Sequence, residues 1–403
     1  MKTAVVTVGK EILTGKTINT NLTTIARKLK EIGIDVSRSF VIDDDKEEYM
    51  KILKIIDEKV VIFTGGLGPT IDDITRETVY EYFNVPIEIK EDALDTIQKY
   101  FDRMHIEKKN SNDKQALLPI DSIVLNNNHG TAPGVIFEVN NQIIILLPGP
   151  PNELKPMLED VISYLKRKTK TFLYSNGFNL VGIGESTMED TLQDFYKAYK
   201  EVNVAPYASP GEVKYVFTSE DKQKMHQAMD AFKQKYNKYI YGNLDDTLEG
   251  IVVNLLRHEH QILSIAESCT GGLVASRITK VDGASNCFHE SFVTYSNEAK
   301  MKYLNVSEET LKQFGAVSEE TALEMAINLK QNTKADITIS ITGIAGPTGG
   351  TLEKPVGLVY FGLAHKDKVI SKHRIFNGSR EIIQFRASQF ALDMIRKELL
   401  KAI

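Results

Sequence analysis

A short apolar, β-branched run that stops at a glycine-containing turn and gives way to a helical pattern recurs along this chain. Residues 3–8 run into Gly9, 60–63 into Thr64-Gly65-Gly66, 142–147 into Pro148-Gly149, 261–266 into Glu267-Ser268-Cys269-Thr270-Gly271, and 336–342 into Gly343. Runs of this kind read as strands buried on both faces, and only helices packed alongside can cover such strands. The intervening stretches supply them: Leu22, Ile25, Ala26 and Leu29 stand at helical spacing ahead of Gly33. In doubly wound sheets ligands bind beyond the carboxyl ends of the strands, and that is where these glycines fall.

At 403 residues the chain is too long for one ordinary core. The strand–helix alternation loosens between 169 and 244, where strands are expected at 179–183 and 212–218 and helices at 186–199 and 221–238. The expected architecture is α/β: two doubly wound three-layer domains, 1–168 and 245–403, joined by a small α+β module at 169–244. The last helix is expected from 379 to about 402.

Composition narrows the function classes. With 42% apolar and 26% charged residues the chain has a globular profile, and a net charge of −5 argues against a broadly cationic surface. The nearest approach to a basic run, 166–170, reads as a solvated helix end, so there is no strong nucleic-acid signal. Two cysteines, Cys269 and Cys287, give neither a disulfide framework nor a multi-cysteine zinc site. The amino terminus opens as a strand rather than a signal peptide, and no apolar run reaches the roughly 18 residues that span a bilayer. A cytoplasmic protein without a membrane partner is expected.

In the C-terminal half, a strand ending in Ser-Cys-Thr-Gly-Gly and turning into a helix presents small nucleophilic side chains to a helix N-terminus, whose free N–H groups suit an anion or oxyanion. Ser268, Cys269 and Thr270 are each conceivable nucleophiles, and Gly271 lets a substrate approach the backbone. His258, His260 and His289 carry no supporting motif as bases. Lys300, after a buried-looking strand, can serve if its amine is desolvated, and Tyr295 can relay a proton. The bland alternative is a helix cap and a solvated lysine. The loop 342–350, containing Thr342, Gly343, Gly346 and Gly349, can cradle a phosphate on its amides. It lacks the lysine of a nucleotide triphosphatase loop.

Taken together, Ala266-Glu267-Ser268-Cys269-Thr270-Gly271-Gly272, Val293-Thr294-Tyr295-Ser296-Asn297-Glu298-Ala299-Lys300, Gly315-Ala316-Val317-Ser318 and the 343–350 loop with Lys354-Pro355-Val356-Gly357 resemble the signature of the CinA C-terminal domain family. That family includes nicotinamide mononucleotide deamidases. The resemblance implies hydrolysis of nicotinamide mononucleotide to nicotinate mononucleotide and ammonia, without a cofactor. It implies Ser268 as nucleophile, Lys300 as base and Tyr295 as assisting phenol. Arg380, at the expected start of the last helix, is a candidate for the substrate phosphate, with a surface salt bridge as its alternative.

In the N-terminal half, residues 9–15 with Asn19 and Asn21, and 64–75 with Gly65, Gly66, Gly68, Asp72 and Asp73, resemble the molybdopterin-binding domain of MoaB, MogA and CinA proteins. Gly130-Thr131-Ala132-Pro133-Gly134 and Leu147-Pro148-Gly149-Pro150-Pro151 extend the likeness to full-length members of the CinA family, as does Gly182-Ile183-Gly184-Glu185-Ser186 in the middle module. Gly65, Gly66 and Gly68 offer an anion nest beside the carboxylates of Asp72 and Asp73, a setting suited to a divalent metal. The resemblance implies metal-dependent cleavage of ADP-ribose to AMP and ribose 5-phosphate, and a homodimer. The competing reading of the two aspartates is a helix cap. Two other functions stand beside the amidohydrolase: a catalytically silent nucleotide-binding or regulatory protein of competence and DNA uptake, and a molybdopterin-related enzyme. The C-terminal motifs weigh against the last.

Overall fold

The computed structural model describes residues 1–169 and 173–401. Residues 170–172, at the expected opening of the middle module, and 402–403, at the expected end of the last helix, lie outside the described residues. The chain divides into two compact units, Met1–Tyr174 and Ser175–Ile403. Among the described residues no helix is long and apolar enough to cross a membrane.

The first unit is an α/β sandwich. The strands of its main sheet are β1 (Lys2–Val8), β2 (Asp35–Ile42), β3 (Val60–Thr64), β4 (Ser122–Leu125), β5 (Gly134–Val139) and β6 (Gln142–Leu147), ordered β2-β1-β3-β6-β5-β4. The first four in that order are parallel, and β5 and β4 complete the sheet antiparallel. Side chains alternate across a strand, and the two faces fill accordingly. Val5, Ile62, Ile143 and Ile145 meet Ile25 and Leu29 of helix α1 (Thr20–Glu31). Ala4, Val6, Phe63 and Ile144 meet Tyr49 and Leu53 of α2 (Lys46–Ile55), Val79 of α3 (Thr75–Phe83) and Ile97 of α4 (Glu91–Met104). Helix α5 (Pro151–Lys168) lies on the α1 face, with Leu154, Leu158 and Val161 inward.

The second unit opens with the small module: β7 (Tyr174–Val181), α6 (Glu185–Ala198), β8 (Asn203–Ser209), β9 (Glu212–Ser219), α7 (Lys222–Tyr236) and β10 (Ile240–Asn243). Two of its four strands, β8 and β10, are absent from the pattern of apolar runs. The order β8-β9-β7-β10 is that of a split βαβ sheet backed by two helices.

After α8 (Leu248–His258) comes a five-stranded mixed sheet. Its strands are β11 (Leu263–Glu267), β12 (Phe288–Val293), β13 (Ile337–Gly343), β14 (Leu358–His365) and β15 (Lys368–Ile375), ordered β12-β11-β13-β14-β15. The first three are parallel and the last two antiparallel. Its helices are α9 (Leu273–Thr279), α10 (Asn297–Leu304), α11 (Glu308–Phe314), α12 (Glu319–Thr333) and α13 (Arg380–Leu400). On one face Ile265, Ile337, Ile339 and Ile341 pack on α8, α9 and α13. The alternate residues of β13 are hydroxylic: Thr338 Oγ1 donates to Ala326 O, and Ser340 Oγ donates to Ala322 O on α12. A Cβ at Gly362 of β14 would stand 2.2 Å from that same Ala322 carbonyl oxygen. Small and hydroxylic side chains thus seat α12 close to the sheet, and α10 follows α12 on that face.

Candidate active site

Strand β11 carries Glu267 to the carboxyl edge of the sheet, and the turn after it holds Ser268. Lys300 of α10 arrives from the α12 side. Its Nζ stands 3.1 Å from Ser268 Oγ and donates to Thr294 O at 2.9 Å. Lys300 is 1% exposed, and no carboxylate pairs with it among the described residues. Burial pushes its pKa below the usual lysine value, which favours the neutral amine a base requires. Of the three conceivable nucleophiles, Cys269 is buried with its pKa pushed up to about 12, chiefly by desolvation. Thr270 is also buried, its hydroxyl unpartnered. Ser268 alone has a base at hydrogen-bonding distance.

The helix N-terminus does not provide the expected anion site. Glu267, fully buried, turns its carboxylate back onto it: Oε2 accepts from Gly272 N and Val274 N, and Oε1 from Ala275 N at 2.9 Å. The Glu267 side chain therefore already takes the free amides at the start of α9. The amides of Cys269 and Thr270, in the turn itself, find no protein acceptor among the described residues. A carboxylate at a strand end immediately ahead of a helix start was the legible signal for Glu267.

Tyr295 is 61% exposed and its hydroxyl accepts from Arg380 at 2.9 Å; it bonds to neither Ser268 nor Lys300. Arg380 also donates to Gly346 O at 2.8 Å. It therefore ties Tyr295 to the glycine loop instead of forming the surface salt bridge considered for it. Thr342 does not face a ligand: it is buried, and its hydroxyl donates to Ala316 O at 2.6 Å. Gly343 is a packing glycine inside β13, where a Cβ would meet Leu358 O at 2.7 Å. Gly271, Gly346 and Gly349 all have positive φ, and a Cβ at Gly271 would meet nothing. Gln384, one turn beyond Arg380 on α13, donates to Cys269 O at 2.7 Å.

The first unit has its own cleft, of about 530 Å³, at the carboxyl edge of β1 and β3. Gly65, Gly66 and Gly68 line it, the first two at positive φ. The Gly65 amide is committed to Leu147 O, which leaves those of Gly66, Leu67 and Gly68. Asp73 accepts from Thr70 N at 3.0 Å and from its hydroxyl. Asp72 is exposed, and neither aspartate caps α3, whose N-cap is Ile74. Asn19 is committed to protein partners and is not among the cleft's lining residues: its Oδ1 caps α1 through Leu22 N and its Nδ2 donates to Thr7 Oγ1. The structure adds Asp44, at the end of β2. One of its oxygens is buried without a partner, and desolvation, then Asp73 and other carboxylates, push its pKa up to about 6. The run Asp43-Asp44-Asp45 hid it, because Asp45 caps α2 and accounts for such a cluster by itself.

Every ionisable chain-end lining the cleft is acidic or phenolic: Glu11, Asp44, Asp72, Asp73, Glu153 and Tyr100. Among the described residues no three potential metal-ligating side chains converge into a cage. Behind the cleft, buried Arg76 donates to Leu67 O at 2.7 Å and Pro133 O at 2.8 Å, joining two of its walls.

Three family profiles match successive stretches: "Probable molybdopterin binding domain" over 4–167, "Damage-inducible protein CinA KH domain" over 175–242, and "CinA C-terminal domain" over 245–399. A competence-damage inducible protein of Caldicellulosiruptor saccharolyticus is 44% identical over 409 residues, 99% of this chain and 100% of its own. A CinA-like protein of Kosmotoga olearia is 44% identical over 415 residues, covering 100% of both. Among solved structures, the protein CinA of Thermoplasma acidophilum, described as of unknown function, is 35% identical. It covers 41% of this chain and 99% of its own, with a TM-score of 0.38.

Proposed function

Since this chain belongs to the CinA family, we propose that its C-terminal domain is an amidohydrolase that converts nicotinamide mononucleotide to nicotinate mononucleotide and ammonia. The observation that carries the reading is the buried, carboxylate-free Lys300 amine 3.1 Å from Ser268 Oγ. Ser268 attacks the carboxamide carbon while its proton passes to Lys300. The new C–O bond forms as the carbonyl electron pair moves to an oxyanion held by backbone amides. Collapse expels ammonia with the proton from Lys300, and water, deprotonated by the same amine, releases the acid and restores the serine. Arg380, Gly346 and Gly349 are the groups offered to the substrate phosphate, and Tyr295 acts by holding Arg380 rather than by relaying the proton.

The test is ammonia release from nicotinamide mononucleotide by the wild-type protein and by Ser268→Ala and Lys300→Ala. Loss in both variants is expected. Release that survives Ser268→Ala would remove the nucleophile and the reading with it.

The all-acidic cleft of the first unit favours a second activity, metal-dependent cleavage of ADP-ribose to AMP and ribose 5-phosphate. A pyrophosphate cannot enter such a lining uncompensated. A divalent cation that keeps water and phosphate oxygens in its shell needs only one or two protein carboxylates. Asp44, with its unpartnered buried oxygen, and Asp73 suit that demand. The cation would neutralise the phosphates and polarise the bond to be cut. Failure to form AMP from ADP-ribose with magnesium, manganese or cobalt would reduce this cleft to a binding site.

A further inference from the structure

We propose that Gln384 is a positioning residue that aims the Thr270 amide at the substrate carbonyl as an oxyanion donor; the inference rests on the amide-hydrolysis reading of the Ser268 centre. Most of the amides around the nucleophile are already committed. Ser268 N donates to Ile341 O, Gly271 N to Ser268 O and Leu273 N to Thr270 O. Gly272, Val274 and Ala275 donate to Glu267. Within 268–275 only Cys269 and Thr270 keep unspent N–H groups among the described residues. Glu267 therefore disqualifies the helix terminus, and within 268–275 the uncommitted backbone donors are those of the turn.

The direction of one of these two amides is fixed from α13. Gln384 Nε2 donates to Cys269 O at 2.7 Å. The Cys269 carbonyl and the Thr270 N–H belong to one planar trans peptide, so they point in opposite directions. Holding the carbonyl toward α13 turns the Thr270 N–H away from it. Helix α13 packs on the isoleucine face of the sheet with α8 and α9, whereas Lys300 reaches Ser268 from α10 on the opposite face. The Thr270 N–H is thus turned toward the side on which the serine and its base meet.

The turn bond from Gly271 N to Ser268 O closes around that peptide, and Gln384 is the side chain that grips it. Among the described residues no other side chain bonds to it, and the Thr270 hydroxyl is buried, 3% exposed, without a partner. Gln384 is itself set by α13, whose first turn is capped by Ser379 and whose Arg380 grips the glycine loop. One helix therefore orients both the oxyanion donor and the phosphate-side residues.

The experiment compares wild type with Gln384→Met, which keeps the side-chain volume without the donor, and Gln384→Glu, which keeps the shape but cannot donate at neutral pH. With nicotinamide mononucleotide, kcat is expected to fall ~10- to 100-fold with KM little changed, a part of the ~10²–10³ that loss of an oxyanion donor costs. A substrate-independent arm measures phosphonylation of Ser268 by an alkyl fluorophosphonate, followed by intact mass. There a Ser O–P bond forms, fluoride leaves, the serine proton goes to Lys300 and the P=O oxygen takes the oxyanion position. Labelling is expected to slow in parallel with kcat while the thermal midpoint holds. Wild-type kcat and labelling rate in either folded variant would overturn the proposal, as would a wild-type protein not labelled at Ser268. A wild-type protein that labels but releases no ammonia would instead overturn the choice of substrate and leave the role of Gln384 standing.

Discussion

Lys300 is stripped of water and given no carboxylate, so its folded-state pKa lies below that of the free side chain. Such a group stabilises least where it is forced to be charged. Its contribution is complete above about pH 10.5 and is lost as pH falls through the depressed value. Lys300→Met is therefore expected to abolish ammonia release, while its melting temperature relative to wild type is highest near pH 7 and falls as pH approaches 10.5. Thermal melts of both proteins across that range check the sign. In the wild type, kcat/KM is expected to fall on the acid side as the amine takes up its proton. Asp44 has the opposite sign. Its pKa is raised to about 6 by burial and neighbouring carboxylates, so its contribution is present below pH 3.8 and is lost as pH rises through 6. Asp44→Asn is expected to raise the melting temperature at pH 7 but not at pH 4. It is also expected to remove the stabilisation that divalent cations give the wild type, read by thermal shift against cation concentration.

Elements explain why parts of this molecule could be read from sequence and others could not. Strands β1, β3, β6, β11 and β13 announce themselves because both faces are covered and nearly every side chain is apolar or small. Strand β15 (Lys368–Ile375) carries Lys368, Lys372 and Arg374 along an exposed edge, and β8 contains Pro206, so neither carries the buried signature. Ser268 and Lys300 were legible because they fall in short motifs at strand ends. Gln384 and Arg76 were not, because each acts on a carbonyl more than 50 residues away, and no local pattern encodes a partner of that kind. Helix α13 shows the principle at length. Arg380, Gln384 and Ser388 recur every four residues and touch, in turn, the glycine loop, the nucleophile turn and Arg277 of α9. Arg76 does the same for the first unit by holding two loops of the cleft together. Arg76→Met leaves the buried Pro133 carbonyl unpaired, at ~1–3 kcal/mol, and Leu67 O with Gln115 Nε2 as its remaining donor. It is expected to lower the melting temperature of the full chain and to weaken the cation-induced thermal shift, while ammonia release is retained.

At the scale of the whole chain, each unit has its own hydrophobic core and its own cleft or nucleophile. The two proposed reactions share no residue. Ser268→Ala is expected to remove ammonia release and spare AMP formation, and Asp73→Asn to do the reverse; assaying both products in both variants checks this. A variant that lost both products while remaining folded would show that the sites depend on each other. The lining of the first cleft, with carboxylates and no basic side chain, sets the terms on which that half could work inside a cell. Its rate would follow the free magnesium or manganese pool as much as the nucleotide supply, whereas the serine–lysine half would ignore that pool. A chelator added to the intact protein would then act as a switch for one half alone, silencing it reversibly without a single mutation.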